Sequence, residues 1–520
     1  MPPRTRTPLR DVPRGWFAPI GLALLLVLPG RTVGAASGQL KLTVVDRASG
    51  RPIPCRMHLR NARGRARKPD GVPFWEDHFV FPGEIVLTLP LGEYTFELER
   101  GPEYVERSGR FVINRFADDA KEVDLLRFVD MSSHGWWSGD LDVRRPIRDV
   151  ELLMRAEDLH VVPLVTWWND QRAWTPKSRP ENPLVRFDDD RICHLMGGGC
   201  NRPGAELLLL NLPGPLPIGE AGAEYPPPGV LVEQARAQSQ TAWVDLTKPF
   251  WWDLPALAAH GQIDSIEVAH SFLGRDRVID GEEGGRPRDR AMYPGVHGNA
   301  RWSQDIYFHL LNCGLRIPPS AGSGSGVGAN PAGYNRLYVY VDGELTYEKW
   351  WESLRAGRVV VTNGPLMRPS VRGEPPGCVF YGDPGQTQEF EVGLTLSTRR
   401  PISYLELIKN GRVERSVRFD EYADSGRLPK LTFDESGWFV VRAVTELGQT
   451  YRFAMTGPYY VQIGRQPRIS RKSAQFFLDW VYERARQIKL ADPEQQRAVI
   501  DYHRAARDFW QRRVEEANAE

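Results

Sequence analysis

Charge imbalance is the first thing the sequence lacks. Its 520 residues hold 67 Lys and Arg against 66 Asp and Glu, a formal net charge of +1. A chain so balanced presents no case for binding nucleic acid or an anionic membrane surface through bulk charge. Cysteine is scarce as well: five residues, Cys55, Cys193, Cys200, Cys313 and Cys378. None has the spacing of a zinc site. An odd number leaves at least one thiol unpaired. Cys193 and Cys200 fit equally well as one local disulfide across a glycine-rich loop or as two small apolar residues. Beyond residue 28 no apolar run is long enough to cross a bilayer. Two catalytic signatures are missing too. Gly322–Gly328 is rich in Gly and Ser but has neither Walker spacing nor the lysine. Gly322-Ser323-Gly324-Ser325-Gly326 lacks the strand-to-helix setting of a nucleophile elbow.

What is present is a long chain of ordinary globular composition, 41% hydrophobic and 26% charged, too long for one core. Its N-terminus reads as an export signal over residues 1–36. Arg4, Arg6, Arg10 and Arg14 precede an apolar run from Trp16 to Leu28, Pro29-Gly30 ends it, and Val33-Gly34-Ala35 offers small residues for cleavage. An uncleaved anchor is the alternative. The expected location is periplasmic or extracellular, with no membrane span after cleavage. Residues 38–128 alternate apolar and polar in short runs, such as Leu40–Val44 and Glu84–Leu89, which predicts a small β-sandwich. From 129 to 365 strand-like and helix-like stretches alternate, which predicts a parallel α/β sheet or barrel with its site at the C-terminal strand ends. Residues 366–465 return to strand alternation, a second sandwich. The tail, 466–520, reads as a helical hairpin, with Asp492-Pro493 placed to cap its second helix.

The stretch most charged with chemistry is Trp136-Trp137-Ser138-Gly139-Asp140-Leu141-Asp142-Val143-Arg144. Further landmarks are Ala156–Val161, Thr166-Trp167-Trp168-Asn169-Asp170, Lys248-Pro249-Phe250-Trp251-Trp252-Asp253, Asp264–His270, Leu311–Arg316 and Val361–Pro365. Together these resemble the PHP-type metallohydrolases, in particular the CehA/McbA-like exported branch, and the N-terminal module resembles a carboxypeptidase-regulatory sandwich. The resemblance implies an α/β fold, a distorted (β/α)7-type barrel flanked by two small β-sandwiches and the helical hairpin. It also implies up to three divalent metals held by His, Asp and Glu, a metal-activated water, and hydrolysis of ester, carbamate or phosphoester bonds.

The departures from that pattern carry most of the information. Where the family has an H-x-H strand end, this chain has Asp142-Val143-Arg144, and guanidinium has no lone pair to give a metal. Where the family has G-S-D-x-H-G, the two ligand positions are Gly324 and Gly326. The expectation is therefore a hydrolase shell without its metals: a catalytically impaired or ligand-binding pseudoenzyme, with no cofactor expected. An active hydrolase with a reduced one-metal site (zinc or manganese on Asp142 and His270) and a structural or interaction module are the alternatives. The pocket candidates are Asp140, Asp142, Arg144, Trp168, Asp170, Asp245, Lys248, Trp252, Asp253, His270 and Ser323. Against each stands a plainer reading: ion-paired strand ends for Asp140 and Asp142, a hydrogen-bonded histidine for His270, surface placement for Lys248 and Asp253. The tryptophan pairs 136–137, 167–168, 251–252 and 350–351 suit either core packing or an aromatic cleft for a small ester, carbohydrate or aromatic ligand.

Overall fold

The computed structural model describes residues 36–520, apart from 170, 173, 175–178, 219–221, 223 and 446. The export signal thus lies, but for its last residue, outside the described residues. Alternation in the first strand, Ser37–Asp46, turns Leu40, Leu42 and Val44 inward and their neighbours outward. That strand pairs antiparallel with Glu84–Pro90 and parallel with Asp118–Leu125. A second sheet runs in the order Phe74–Trp75, His78–Phe81, Cys55–Asn61, Gly92–Glu99, Arg107–Ile113. Met57, Leu59, Phe79 and Phe81 of this sheet meet the inward face of the first in one core.

The centre of the chain corrects the barrel expectation. Parallel pairs do occur: Val161–Trp168 with Arg191–Arg202, Trp243–Leu246 with Ser265–Ala269, and Ser265–Ala269 with Pro319–Ala321. Antiparallel pairs interrupt them. Arg191–Arg202 runs antiparallel to Ala205–Leu210, which is antiparallel to Trp243–Leu246. Arg336–Tyr340 is antiparallel to both Trp136–Gly139 and Val359–Thr362. Val359–Thr362 then pairs antiparallel with Phe453–Thr456, so the central strands continue into those of the C-terminal region. The result is a large mixed sheet, and the described residues are 38% strand and 22% helix. It is not a (β/α)7 barrel, in which seven parallel strands alternate with helices. The physical reason is local. Arg202 and Ala205 are joined through only Pro203-Gly204, a tight connection open to an antiparallel pair and not to a parallel one. Hydrophobic runs report burial but not strand direction.

The strand Arg191–Arg202 also explains a stretch whose glycines suggest a loop. A side chain at Gly198 would put its Cβ 1.8 Å from the Trp167 indole, and one at Gly199 would lie 1.9 Å from Trp168. The glycines are the floor on which the tryptophan pair lies. Cys193 and Cys200 sit near opposite ends of this same extended strand, and all five cysteines are free.

The tail forms two helices, Arg471–Gln487 and Pro493–Glu515. Ser470 caps the first by accepting from Ser473 N, and Asp492 caps the second by accepting from Glu494 N and Gln495 N. Phe477, Trp480 and Trp510 enter the same core as Leu254 and Leu257. Trp510 Nε1 donates to Pro255 O at 2.9 Å. Arg484, buried, donates from Nε to Asp253 Oδ1 at 2.7 Å. Among the described residues no helix is long and apolar enough to cross a membrane. Because the hairpin shares the central core, Trp510→Ala is expected to cost about 3–5 kcal/mol and to lower the urea midpoint of the main transition. A separate early transition of the tail, with the main one unmoved, would show that the hairpin is a mere appendage.

Candidate functional site

The strand Trp136–Gly139 is shorter than its sequence suggests. Beyond it the chain runs on as an irregular segment alongside the glycine loop. Leu141 N donates to Ala321 O, Arg144 N to Ser325 O and Ser325 N to Asp142 O, at 3.1, 2.7 and 3.3 Å. The two stretches that depart from the hydrolase pattern, Asp142–Arg144 and Gly324–Gly326, far apart in sequence, are therefore neighbours in space. Asp140 staples them: Oδ1 accepts from Asp142 N and Ser323 N at 3.0 Å each, and Oδ2 from Gly333 N at 2.7 Å. Burial raises its carboxyl to about 6 despite these donors. Ser323 Oγ donates to Asn335 O at 3.1 Å. Asp140 and Ser323 thus hold backbone together and present nothing to a ligand.

At the strand end lies a chain of four buried charges. Arg144 donates from Nε to Asp142 Oδ1 at 2.5 Å and from Nη2 to Asp142 Oδ2 at 2.9 Å. The same Nη2 reaches Glu206 Oε1 at 3.0 Å. Glu206 Oε2 accepts from Lys248 Nζ at 2.6 Å and from Thr247 Oγ1 at 3.0 Å. The side chains of Asp142, Arg144, Glu206 and Lys248 are 2%, 10%, 8% and 7% exposed, so water screens this network little. Two positive and two negative groups cancel. Burial alone would raise the Glu206 carboxyl, but Lys248 and then Arg144 outweigh it and hold it at about 2. Aromatic faces complete the enclosure. The Arg144 guanidinium lies 3.6 Å from the Trp168 ring centroid, and Lys248 Nζ lies 5.2 Å from Trp251 and 5.0 Å from Phe272. The aromatic walls are there, and protein cations occupy them.

Beneath this network sit Asp245 and Glu267, both without exposed surface. Asp245 Oδ1 accepts from the hydroxyls of Ser265 and Ser320. Burial pushes its carboxyl up to about 6. Neither oxygen of Glu267 has a hydrogen-bond partner. Burial first, then the charges of Asp245 and Asp142, raise its carboxyl well above the usual range. His270 shares Nε2 with Ser303 Oγ at 2.9 Å, lies edge-on to Phe250 and Phe272, and is driven down to about 3 by burial and then by Lys248.

These residues do not fit the divalent metal that the resemblance implies. Both oxygens of Asp142 are taken by one guanidinium, and Nε2 of His270 is taken by Ser303. Among the described residues, no three of Asp140, Asp142, Asp245, Glu267 and His270 bring ligand atoms together as a metal requires. The glycine loop has also closed in. A Cβ on Gly326 would lie 2.1 Å from Arg144 O, and one on Gly324 2.6 Å from Ser271 Cβ, with φ at +105° and +62°. Side chains restored there would need the backbone to move. One His/Asp/His group elsewhere could hold a metal: His58, Asp77 and His78, in the N-terminal sheets.

Of the other candidates, Trp252 lies edge-on to Trp480, and Asp253 binds Arg484, so both face the helical hairpin. Asp170 lies outside the described residues. Glu206 and Glu267 are the members that sequence reading missed. Each is a lone carboxylate in a wholly buried strand, Ala205–Leu210 and Ser265–Ala269, and that isolation is the signal available.

No protein-family model matches the chain, and no curated protein matches it. Two solved structures share local likeness. The Bacillus anthracis TIE protein is 21% identical over 22% of this chain, with a TM-score of 0.15; the matched part spans 20% of that protein's length. The N-terminal four Ig domains of Dscam1 isoform 4.4 are 9% identical over 83% of this chain and 98% of that one, with a TM-score of 0.12.

The network sets a pH dependence. Glu206 is held at about 2 against an ordinary 4.5, so its contribution is fully present above pH 4.5 and lost as pH falls toward 2, about 3 kcal/mol in all. Asp245, raised to about 6 from 3.8, works in the opposite sense, favouring the folded state as pH falls through that interval. Denaturant unfolding of wild type and Glu206→Gln from pH 7 to 2.5 should therefore show the variant's deficit shrinking below pH 4.5. A deficit constant with pH would refute the ion-paired state of Glu206.

Proposed function

We propose that the central cluster is a self-neutralised remnant of a hydrolase-type site and that the protein is a non-catalytic, exported member of the PHP-like metallohydrolase lineage. The observation that carries this reading is the single Arg144–Glu206–Lys248 bridge. Two fixed protein cations sit on the carboxylates that would otherwise gather metal ions. A guanidinium offers no open coordination position and cannot lower the pKa of a bound water as a metal does. The motif resemblance supports a hydrolase ancestry, and the Arg-rich, apolar N-terminus supports export. On this reading the cluster holds the strand ends together, and the working surfaces are those of a binding or scaffolding protein rather than of an enzyme.

The test is hydrolysis of aryl ester, aryl carbamate and phosphodiester substrates by purified protein, with and without added zinc or manganese and a chelator. No metal-dependent turnover is expected. Metal-stimulated hydrolysis that disappears in His270→Ala would overturn the proposal. The structural role has its own measure. Arg144→Met leaves Asp142 and Glu206 buried with half their neutralising charge gone, and is expected to cost about 3–5 kcal/mol in denaturant unfolding.

A further inference from the structure

The N-terminal sheets contain a second constellation that the central cluster does not involve. His58, in Cys55–Asn61, stands directly opposite His78, in His78–Phe81, on paired antiparallel strands. Cross-strand partners have neighbouring side chains on one face of a sheet, and the two imidazole centroids lie 5.2 Å apart. The strand carrying His78 is reached through the turn Glu76-Asp77, in which Glu76 takes φ +50°. That turn brings the Asp77 carboxylate back over the histidines. His58 Nδ1 lies 3.1 Å from Asp77 Oδ2, and His78 Nδ1 lies 3.2 Å from Oδ1.

We propose that His58, Asp77 and His78 form a binding site for a divalent transition-metal ion of the zinc class, held through both imidazole Nδ1 atoms and an Asp77 oxygen. Bonds of about 2.0–2.2 Å in a tetrahedral shell place ligand atoms about 3.3 Å apart, close to the 3.1 and 3.2 Å between the two Nδ1 atoms and the two Asp77 oxygens, and one ligand atom from each residue lies within 4.8 Å of the others. Two nitrogens and one carboxylate oxygen suit zinc and its neighbours rather than calcium or magnesium. Both histidines are 2% exposed and Asp77 28%, so packing fixes the imidazoles while the carboxylate lies at the edge of the sheet. One group competes. Arg60 donates from Nη2 to Asp77 Oδ2 at 2.7 Å, and its side chain is 36% exposed, free to turn outward when a metal takes over the carboxylate's charge.

The position gives the metal a structural consequence. On the same hairpin, Trp75 Nε1 donates to Gly328 O at 2.8 Å, and Arg145 lies 5.1 Å from the Trp75 ring. A metal that fixes Asp77 to both strands would stiffen the element docked on the end of the glycine loop.

The experiment is titration of the full chain, stripped by chelator, with zinc chloride, followed by calorimetry and by elemental analysis after desalting. One equivalent of zinc is expected. Asp77→Asn, which keeps the side chain's shape, should weaken binding at least tenfold, and Arg60→Gln, which removes the competing cation, should tighten it. Asp142→Asn and His270→Ala should leave it unchanged. Absence of stoichiometric binding, or binding that Asp77→Asn does not weaken, would overturn the proposal. Zinc lost only in Asp142→Asn or His270→Ala would overturn it as well, and would count separately against the metal-free reading of the central cluster. Circular dichroism of Asp77→Asn identical to wild type guards against unfolding, and the Arg60→Gln gain cannot come from a folding defect.

Discussion

Everything at the strand ends depends on Glu206 accepting from two cations at once. Remove that carboxylate and Arg144 and Lys248 become buried neighbours of like charge. Remove Arg144 and both Asp142 and Glu206 lose a partner in a place where water cannot replace it. Each ion has left bulk water at a cost of several kcal/mol, and only its partners offset that cost. The aromatic faces of Trp168, Trp251 and Phe272 add to the cations' stabilisation without hydrogen bonds. The glycine loop can then lie directly against Arg144, because no side chain at Gly326 intervenes.

The same neutralisation sets the state of the carboxyls below. Burial and the charges of Asp245 and Asp142 outweigh the opposing pull of Lys248 on Glu267, and its carboxyl is raised well above the usual range. A metal ion in this place would do the reverse and keep such carboxylates ionised. Raised carboxyls under a closed network of protein cations are thus one electrostatic arrangement with two visible halves. His270 is driven down by burial first and then by the charge of Lys248.

Much of this was legible in the sequence, and the limits have physical causes. Asp142-Val143-Arg144 and the glycines at 324 and 326 mark the site because residue chemistry alone excludes metal ligation by Arg and Gly. Of the pocket candidates, the structure brings Asp142, Arg144, Lys248 and Trp168 into one cluster, while Asp140 binds backbone. Glu206 escaped notice because one carboxylate inside Ala205–Leu210 interrupts an apolar run without announcing its partner, and that partner, Lys248, is 42 residues away. Trp252 and Asp253 were placed in the pocket because a sequence does not tell which face of a helix start a side chain will use; Arg484, far along the chain, decides it. The barrel expectation failed for a different reason. Burial of a strand is encoded in its composition, but its direction is set by connections such as Pro203-Gly204, which alternation of strands and helices does not reveal. His58 and His78 were invisible because only the pairing register brings them face to face.

Replacing metal ions by Arg and Lys changes the thermodynamics of such a site in kind. A metal site exchanges with its surroundings, and its contribution to stability follows metal concentration. Covalently attached cations have no dissociation equilibrium, so the cluster is complete in every folded molecule. A metal ion would bring an open coordination position that activates water, and fixed side-chain cations bring none. A cluster neutralised by its own side chains is indifferent to chelation. Covalent cations keep these strand ends neutral in every folded molecule, and the glycine loop packs tightly against Arg144 because a neutral cluster needs no solvent at its edge.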